Sequence, residues 1–312
     1  MLKRIVVLLL ALVVGFGAIY RARDPERRDM DAAARQGVAG RFVTLRDGVT
    51  HYELSGPDAG QRVLLVHGFS TPYYIWDSTA SALAAAGFRV ARYDLFGRGY
   101  SDRPDVEYSS DLFDRQALDL LDSLGWRDPV DIAGLSMGGM VVGTFAGRHP
   151  ERVRSMTMVD PAAAPREELP RRYTLPVIGP LLWQAIEMPH MAEDQLTDFV
   201  DPTRWPDWPA RYRVQMQYRG FGRALRSTSI NEPDLEPIYT KVGQVGTRSL
   251  LIWGKEDHSV PFEYSEMVRK AIPQIEFHPI DHAAHLPQME QATVVNPLLI
   301  QFLRAKPVPS AK

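Results

Sequence analysis

Cysteine is absent from this 312-residue chain, and so is any clear excess of charge of one sign. Without thiols the protein forms neither disulfides nor thiolate metal sites, and its nucleophile cannot be a cysteine. The 36 Lys and Arg residues nearly balance the 38 Asp and Glu residues, which leaves a net charge of -2. Because nucleic-acid binding needs a basic surface, this balance argues against a nucleic-acid partner.

Metal-binding spacings of histidine and carboxylate are also missing, since the sequence contains neither His-Glu-x-x-His nor a comparable pair. We interpret four further histidines as structural or surface residues: His51, His149, His190 and His278. We therefore expect no metal and no cofactor. Hydroxyl, imidazole and carboxylate groups remain for catalysis, and a hydrophobic content of 45% permits a large core.

An uncharged run, residues 5–20, follows Lys3 and Arg4 at the amino terminus. A helix of this length spans about 24 Å, slightly less than a bilayer core of about 30 Å, and flanking basic side chains can reach the interface. We favour an uncleaved single-pass anchor because no Ala-x-Ala site follows, with a cleaved signal peptide as the alternative. Basic residues on both sides leave the orientation undetermined.

Residues 21–39 are charged, with Pro25 and Gly37 as interruptions, and are compatible with a juxtamembrane helix or with a solvated linker. We assign residues 1–39 to the anchor and juxtamembrane helix. Apolar residues then alternate on both sides of Asp47-Gly48, which predicts a β-hairpin at the start of the catalytic body.

Short β-branched runs alternate with helical stretches through much of the remaining chain, including an amphipathic helix at 112–124. This alternation indicates an α/β fold with a mostly parallel central sheet and helices on both faces. Functional groups gather at the carboxyl ends of such strands. The predicted strands cover residues 63–66, 89–93, 130–133, 156–159, 250–253 and 275–280.

A Gly-x-Ser-x-Gly motif, Gly134 to Gly138, stands between a predicted strand and a predicted helix at 140–148. The motif places a serine on a sharp, strained turn, and its glycines are needed because a Cβ there would collide with neighbouring backbone. Ser136 is therefore the candidate nucleophile.

A serine hydroxyl needs an imidazole to take its proton and a carboxylate to orient that imidazole. In a fold with this serine turn, the acid and then the histidine follow the serine along the chain. Asp257 and His285 each follow a late predicted strand, so we assign them as acid and base. The rival candidates are Glu256, His282 and Asp160.

Two backbone amides are candidates for the oxyanion hole. Met137 follows the nucleophile at a helix start, and Phe69 lies in the loop after strand 63–66. In the same loop, His67 is expected to form hydrogen bonds that organise the backbone and to do no acid–base work.

His67-Gly68-Phe69, the sequence DLFGRGYS at 94–101, the serine turn, Asp257 and His285-Leu286-Pro287 together resemble the α/β-hydrolase superfamily of serine hydrolases. The resemblance covers about residues 41–304. With the amino-terminal run included, the chain is similar to membrane-anchored bacterial phospholipases A. That similarity implies a body facing the periplasm from the inner membrane, a homodimer formed through the anchor region, and binding of acyl chains. The loop at Asp94 is interpreted as a structural turn.

Residues 162–247 are expected to form a helical lid between core segments 40–161 and 248–305, and residues 306–312 a tail. The lid segment is rich in aromatic residues and methionine, which suits a pocket for an acyl chain, although at least half of these residues must be ordinary core.

The sequence therefore predicts a membrane-anchored hydrolase of glycerophospholipid acyl esters, with membrane lipid as substrate and a fatty acid as product. A carboxylesterase acting on short or medium-chain esters is the alternative, and a non-catalytic ligand receptor is a distant one. Relatives that cleave carbon–carbon bonds share the triad, whereas Ser136 argues against dehalogenases and epoxide hydrolases, which carry Asp there.

Overall fold

The computed structural model describes residues 3–4, 15, 17–18, 20–165 and 169–305. Most of the predicted anchor and the whole predicted tail, 306–312, lie outside these residues. Within the described ranges, no helix combines the length and the apolar character that crossing a membrane requires.

The centre of the fold is an eight-stranded sheet in the order β1-β2-β4-β3-β5-β6-β7-β8. β1 and β2 form the predicted antiparallel hairpin, with Leu45 opposite Gly48, and β2 also pairs antiparallel with β4. The remaining pairs are parallel. The strands are β1 (Arg41–Leu45), β2 (Gly48–Ser55), β3 (Arg62–Val66), β4 (Arg89–Tyr93), β5 (Val130–Leu135), β6 (Val153–Val159), β7 (Ser249–Gly254) and β8 (Glu276–Ile280).

Helices cover both faces of the sheet, which is why β5 and β7 are buried along their whole lengths. One hydrophobic cluster lies under α3, α4 and α11, and a second lies under α2 and α13. The helices outside the insertion are α1 (Ala32–Arg35), α2 (Asp77–Ala85), α3 (Ser110–Ser123), α4 (Met137–Arg148), α11 (Ser265–Ala271), α12 (Pro287–Glu290) and α13 (Ala292–Arg304).

A helical insertion lies between β6 and β7 and has its own small core, which includes Tyr212, Met216 and Phe221. Its last helix belongs elsewhere, because Tyr239 and Val242 pack in the sheet cluster beside α4. The part of the insertion with its own core therefore ends near residue 230, whereas the helix at 235–245 packs on the sheet. The helices are α5 (Arg171–Thr174), α6 (Ile178–Leu182), α7 (Met191–Asp194), α8 (Trp208–Met216), α9 (Phe221–Ile230) and α10 (Leu235–Val245).

Residues 24–31, part of the segment whose sequence is compatible with a juxtamembrane helix or a solvated linker, are not helical. Pro25 lacks the amide that a helix interior needs, and the backbone is instead used for tertiary contacts. The amides of Arg27 and Arg28 donate to the carbonyl of Gln217 at 2.8 and 2.9 Å. Glu26 accepts from the amides of Gly220 and Gly222 at 2.6 and 2.7 Å, which satisfies free donors at the start of α9. This segment is neither a helix nor a solvated linker.

The turn from β5 into α4 depends on glycine at two positions where backbone segments touch. A Cβ on Gly134 would lie 2.1 Å from the carbonyl oxygen of Gly138, and one on Gly138 would lie 2.4 Å from that of Val66. No side-chain rotation relieves contact with backbone, so both positions require glycine.

Replacing Gly134 by alanine is expected to lower the free energy of unfolding by about 1–3 kcal/mol, because the new methyl group forces β5 and α4 apart. Denaturant unfolding followed by circular dichroism measures the change. Gly147→Ala in α4 is the control. A Cβ on Gly147 would have the flexible side chain of Lys241 as its nearest neighbour, at 3.1 Å. Equal losses in both variants would contradict the expectation.

Candidate active site

Ser136 lies between β5 and α4 with φ 54° and ψ −123°, a conformation that non-glycine residues rarely adopt. Its backbone is held on both sides, because its amide donates to Val159 and its carbonyl accepts from the amides of Gly139 and Ala162. The strain is therefore maintained by neighbouring strands, and the serine is presented at the carboxyl edge of the sheet.

Asp257 and His285 are brought together from two loops. The Nδ1 atom of His285 lies 2.8 Å from Oδ2 of Asp257, and both side chains are buried. The other carboxylate oxygen accepts from the amides of Ser259 and Val260 at 2.8 and 2.9 Å. This arrangement fixes the carboxylate, and His285 and Ser136 line the same cavity.

Two opposing effects set the basicity of His285. Burial, the larger single effect, lowers its pKa, but the charge and hydrogen bond of Asp257 together with the charge of Asp198 outweigh it. The net result is a pKa raised above the ordinary value of 6.5. A raised pKa makes the imidazole a stronger proton acceptor, as the predicted role of His285 requires.

The rival residues occupy supporting positions. Asp160 is buried with φ 40° and accepts from the amide of Gly254, and burial followed by the charge of Asp257 raises its pKa well above the ordinary value. Glu256 accepts from the amides of His282 and Ala283, so it braces the loop before His285. His282 is exposed. None of them holds the position that Asp257 holds on His285.

The loop after β3 places Phe69 beside the nucleophile, since a Cβ on Gly68 would lie 3.2 Å from the Cβ of Ser136. Within the described part of the chain, the amides of Phe69 and Met137 donate to no other protein group. Both remain available for a developing oxyanion, and their assignment as its donors remains a prediction.

His67 orients the Phe69 amide by binding the carbonyl oxygen of the peptide that joins Gly68 to Phe69. Its Nε2 accepts from the amide of Leu95 at 2.9 Å, so Nδ1 carries the proton and donates to the carbonyl of Gly68 at 2.8 Å. Burial lowers the pKa of His67 to about 4, which keeps the ring neutral. Because C=O and N–H point in opposite directions in a trans peptide, holding the Gly68 oxygen also aims the Phe69 amide.

Sequence reasoning missed the importance of Arg98, which it treated as part of a structural turn. The side chain is fully buried and donates to the carbonyls of Phe69 and Phe96 and to Thr228 on α9. Arg98 therefore connects the loop that contains Phe69 to the insertion. Its position between Gly97 and Gly99 was the available signal, because flanking glycines permit close backbone approach.

Asp198 was also missed, and no sequence signal indicated it. This residue of the insertion accepts from the amide of His285 through its backbone carbonyl at 3.1 Å. Its Oδ1 atom accepts from the hydroxyl of Ser259 at 2.6 Å. Burial raises the pKa of Asp198, while the nearby His285 opposes that shift.

Two cavities with different walls open at Ser136. One has a volume of about 350 Å³ and is lined mainly by apolar groups, including Phe113, Met137 and Met140. The other has a volume of about 210 Å³ and contains His285 with the polar side chains of Thr71, Gln195 and Asp198. The nucleophile thus stands between an apolar and a polar compartment.

The acid side of the pH–activity profile follows from the raised pKa of His285. The base must be neutral to accept the serine proton, so kcat/KM is expected to fall as the pH decreases through a midpoint above 6.5.

In Asp257→Asn, burial dominates the pKa of His285 because the opposing charge is lost. The midpoint is therefore expected to move to lower pH, and kcat is expected to fall about 10⁴-fold. Hydrolysis of a soluble p-nitrophenyl ester measures both. Glu263→Gln serves as the control, since Glu263 is exposed, and an unmoved midpoint in Asp257→Asn would refute the assignment.

Loss of the His67 hydrogen bonds is expected to reduce kcat by up to about 10²–10³-fold with little change in KM, because the Phe69 amide loses its orientation in the transition state. The test variant is His67→Phe, which keeps the ring volume. His190→Gln is the matched control, since His190 is exposed. A kcat equal to that of the control would exclude this positioning role.

Residues 61–292 match the family model described as alpha/beta hydrolase fold. The chain is 27% identical to the 2-hydroxy-6-oxononadienedioate/2-hydroxy-6-oxononatrienedioate hydrolase of Cupriavidus pinatubonensis, over 87% of this chain and 97% of that protein. It is 26% identical to Lipase 1 of Psychrobacter immobilis, over 77% of this chain and 75% of that protein.

Among solved structures, a bacterial membrane phospholipase A superposes with a TM-score of 0.67 at 24% identity, over 97% of this chain and 98% of that chain. This likeness shows the shared fold. The family match spans most of the sequence, and the protein is a hydrolase that belongs to the α/β-hydrolase fold family.

Proposed function

We propose that this hydrolase cleaves acyl esters of membrane glycerophospholipids, as a phospholipase A or lysophospholipase. The observation that carries the proposal is the apolar cavity of about 350 Å³ that opens directly at Ser136. An acyl chain placed there puts its ester carbonyl beside the nucleophile. The volume lies near the lower end of typical ligand sites, which suits one acyl chain rather than two.

In the proposed reaction, the hydroxyl oxygen of Ser136 attacks the ester carbonyl carbon while His285 accepts the hydroxyl proton. The amides of Phe69 and Met137 stabilise the negative charge on the former carbonyl oxygen. The carbon–oxygen bond to the alcohol then breaks, and His285 protonates the leaving oxygen. Water, deprotonated by His285, hydrolyses the acyl-enzyme and releases the fatty acid.

We also propose that residues 5–20 anchor the protein in the bacterial inner membrane, with the body in the periplasm and a homodimer formed through the anchor region. The hydrophobic run after Lys3 and Arg4 and the similarity to membrane-anchored phospholipases A support this part. The insertion would act as a lid, since its residues Thr228 and Ser229 line the apolar cavity and Asp198 lines the polar one.

A carboxylesterase acting on short or medium-chain esters is the second candidate, and the modest volume of the apolar cavity favours it. The Cupriavidus relative is named as a hydrolase of 2-hydroxy-6-oxononadienedioate and 2-hydroxy-6-oxononatrienedioate. Hydrolysis of a carbon–carbon bond, which has a different leaving group, is a third outcome to be tested. Ester and carbon–carbon substrates therefore belong in the same assay.

The purified full-length protein in detergent is expected to release fatty acid from phospholipid vesicles and to react covalently with a fluorophosphonate probe. Ser136→Ala is expected to lose the labelling and about 10⁶-fold in kcat, with an unchanged melting temperature. Mass spectrometry of released fatty acid and gel fluorescence are the measurements.

Three results would replace the proposal. Rapid cleavage of p-nitrophenyl esters without release from vesicles would identify a carboxylesterase. Cleavage of a vinylogous diketone without ester hydrolysis would identify a carbon–carbon hydrolase. Absence of labelling in the folded wild type would favour the non-catalytic receptor.

A further inference from the structure

In the proposed ester hydrolysis, the two cavities at Ser136 would hold different parts of the substrate. His285 lines the polar cavity of about 210 Å³ and has to protonate the leaving oxygen, so the alcohol part of the ester occupies that side. The acyl part then occupies the apolar side. The walls of the polar cavity consequently determine which alcohols the enzyme releases.

The polar cavity contains two side chains of the insertion that can accept hydrogen bonds, Asp198 and Gln195. Asp198 is half-buried in its wall, with Oδ1 occupied by Ser259 at 2.6 Å. Its Oδ2 receives no hydrogen bond from any residue that the structure describes, and it is not sealed from solvent. Gln195 faces the same space, and its Oε1 accepts from Thr71 at 2.7 Å. A free carboxylate oxygen therefore stands ready for a donor on the substrate.

No compensating cation lines this cavity. Among the described residues, its wall contains neither lysine nor arginine, and its titratable side chains are Asp198 and His285. Because Asp257 already balances the charge that His285 acquires during catalysis, the carboxylate of Asp198 leaves this compartment negative. An anionic group placed beside it is repelled, whereas a hydroxyl or ammonium group gains a hydrogen bond.

We propose that Asp198 selects the leaving alcohol: it favours alcohols with a hydroxyl or ammonium donor close to the ester and disfavours those with a phosphate monoester there. This inference rests on the proposed ester hydrolysis. Within the proposed function it favours the lysophospholipase reaction, because the alcohol part of a lysophospholipid carries a free hydroxyl next to the ester and that of a phospholipid with two acyl chains does not. Selection operates by repulsion of the wrong group as well as by attraction of the right one.

The test compares two esters with the same acyl chain, monododecanoylglycerol and the corresponding lysophosphatidate, in the same detergent at about pH 8. The wild type is expected to have a kcat/KM at least about tenfold higher for the glycerol ester. Asp198→Asn keeps a hydrogen-bonding group for Ser259 but loses the charge. In this variant the ratio of kcat/KM for the glycerol ester to kcat/KM for lysophosphatidate is expected to fall at least about fivefold, mainly through faster cleavage of lysophosphatidate.

Asp198→Glu keeps the charge and is expected to retain the preference. Glu193→Gln is the control, because Glu193 is an exposed carboxylate on the same insertion, and its ratio should equal that of the wild type. A wild-type ratio of the two kcat/KM values near one would overturn the inference. So would an equal proportional loss of kcat/KM on both esters in Asp198→Asn. Cleavage of neither ester by the wild type would instead overturn the proposed ester hydrolysis, so the two failures are distinguishable.

Discussion

The hydrogen bond between Asp257 and His285 is the contact on which the arrangement of the site depends. It joins the loop after β7 to the loop after β8 inside a region closed to solvent, where an unpaired carboxylate would be costly. Each loop has further supports: two amides hold Asp257, while Glu256 and Glu290 accept from amides just before His285. These bonds keep the base in place before substrate arrives, which is the condition for preorganised catalysis.

The insertion is tied to the site at two points and to the amino-terminal segment at a third. Asp198 binds the backbone of His285, and Thr228 accepts from Arg98, which also holds the oxyanion loop. Glu26 closes the start of α9 from the other side. A displacement of the insertion would therefore disturb both His285 and the loop that contains Phe69, because hydrogen-bonded elements connect them.

Sequence patterns predicted the regular elements well where they were strongly periodic. The strand at Arg89–Tyr93 agrees at both ends, and the hairpin turn at Asp47-Gly48 is confirmed. The serine turn was recognisable because its glycines are required by backbone contact. The conformation of segment 24–31 and the packing of the last helix of the insertion could not be read from the sequence, since they depend on partners far away in the chain, such as Gln217 and the sheet cluster.

By itself, the sequence determined the α/β architecture, the candidate nucleophile and the order of its expected partners. Periodicity, glycine placement and the order of motifs can all be read directly along the chain. Only the tertiary structure decided which carboxylate meets His285, since Asp160, Glu256 and Asp257 differ in position rather than in chemistry. It also decided that Asp198 lies beside the base, although 87 positions separate the two residues in the chain. Such contacts arise from the packing of distant segments, which no local pattern encodes.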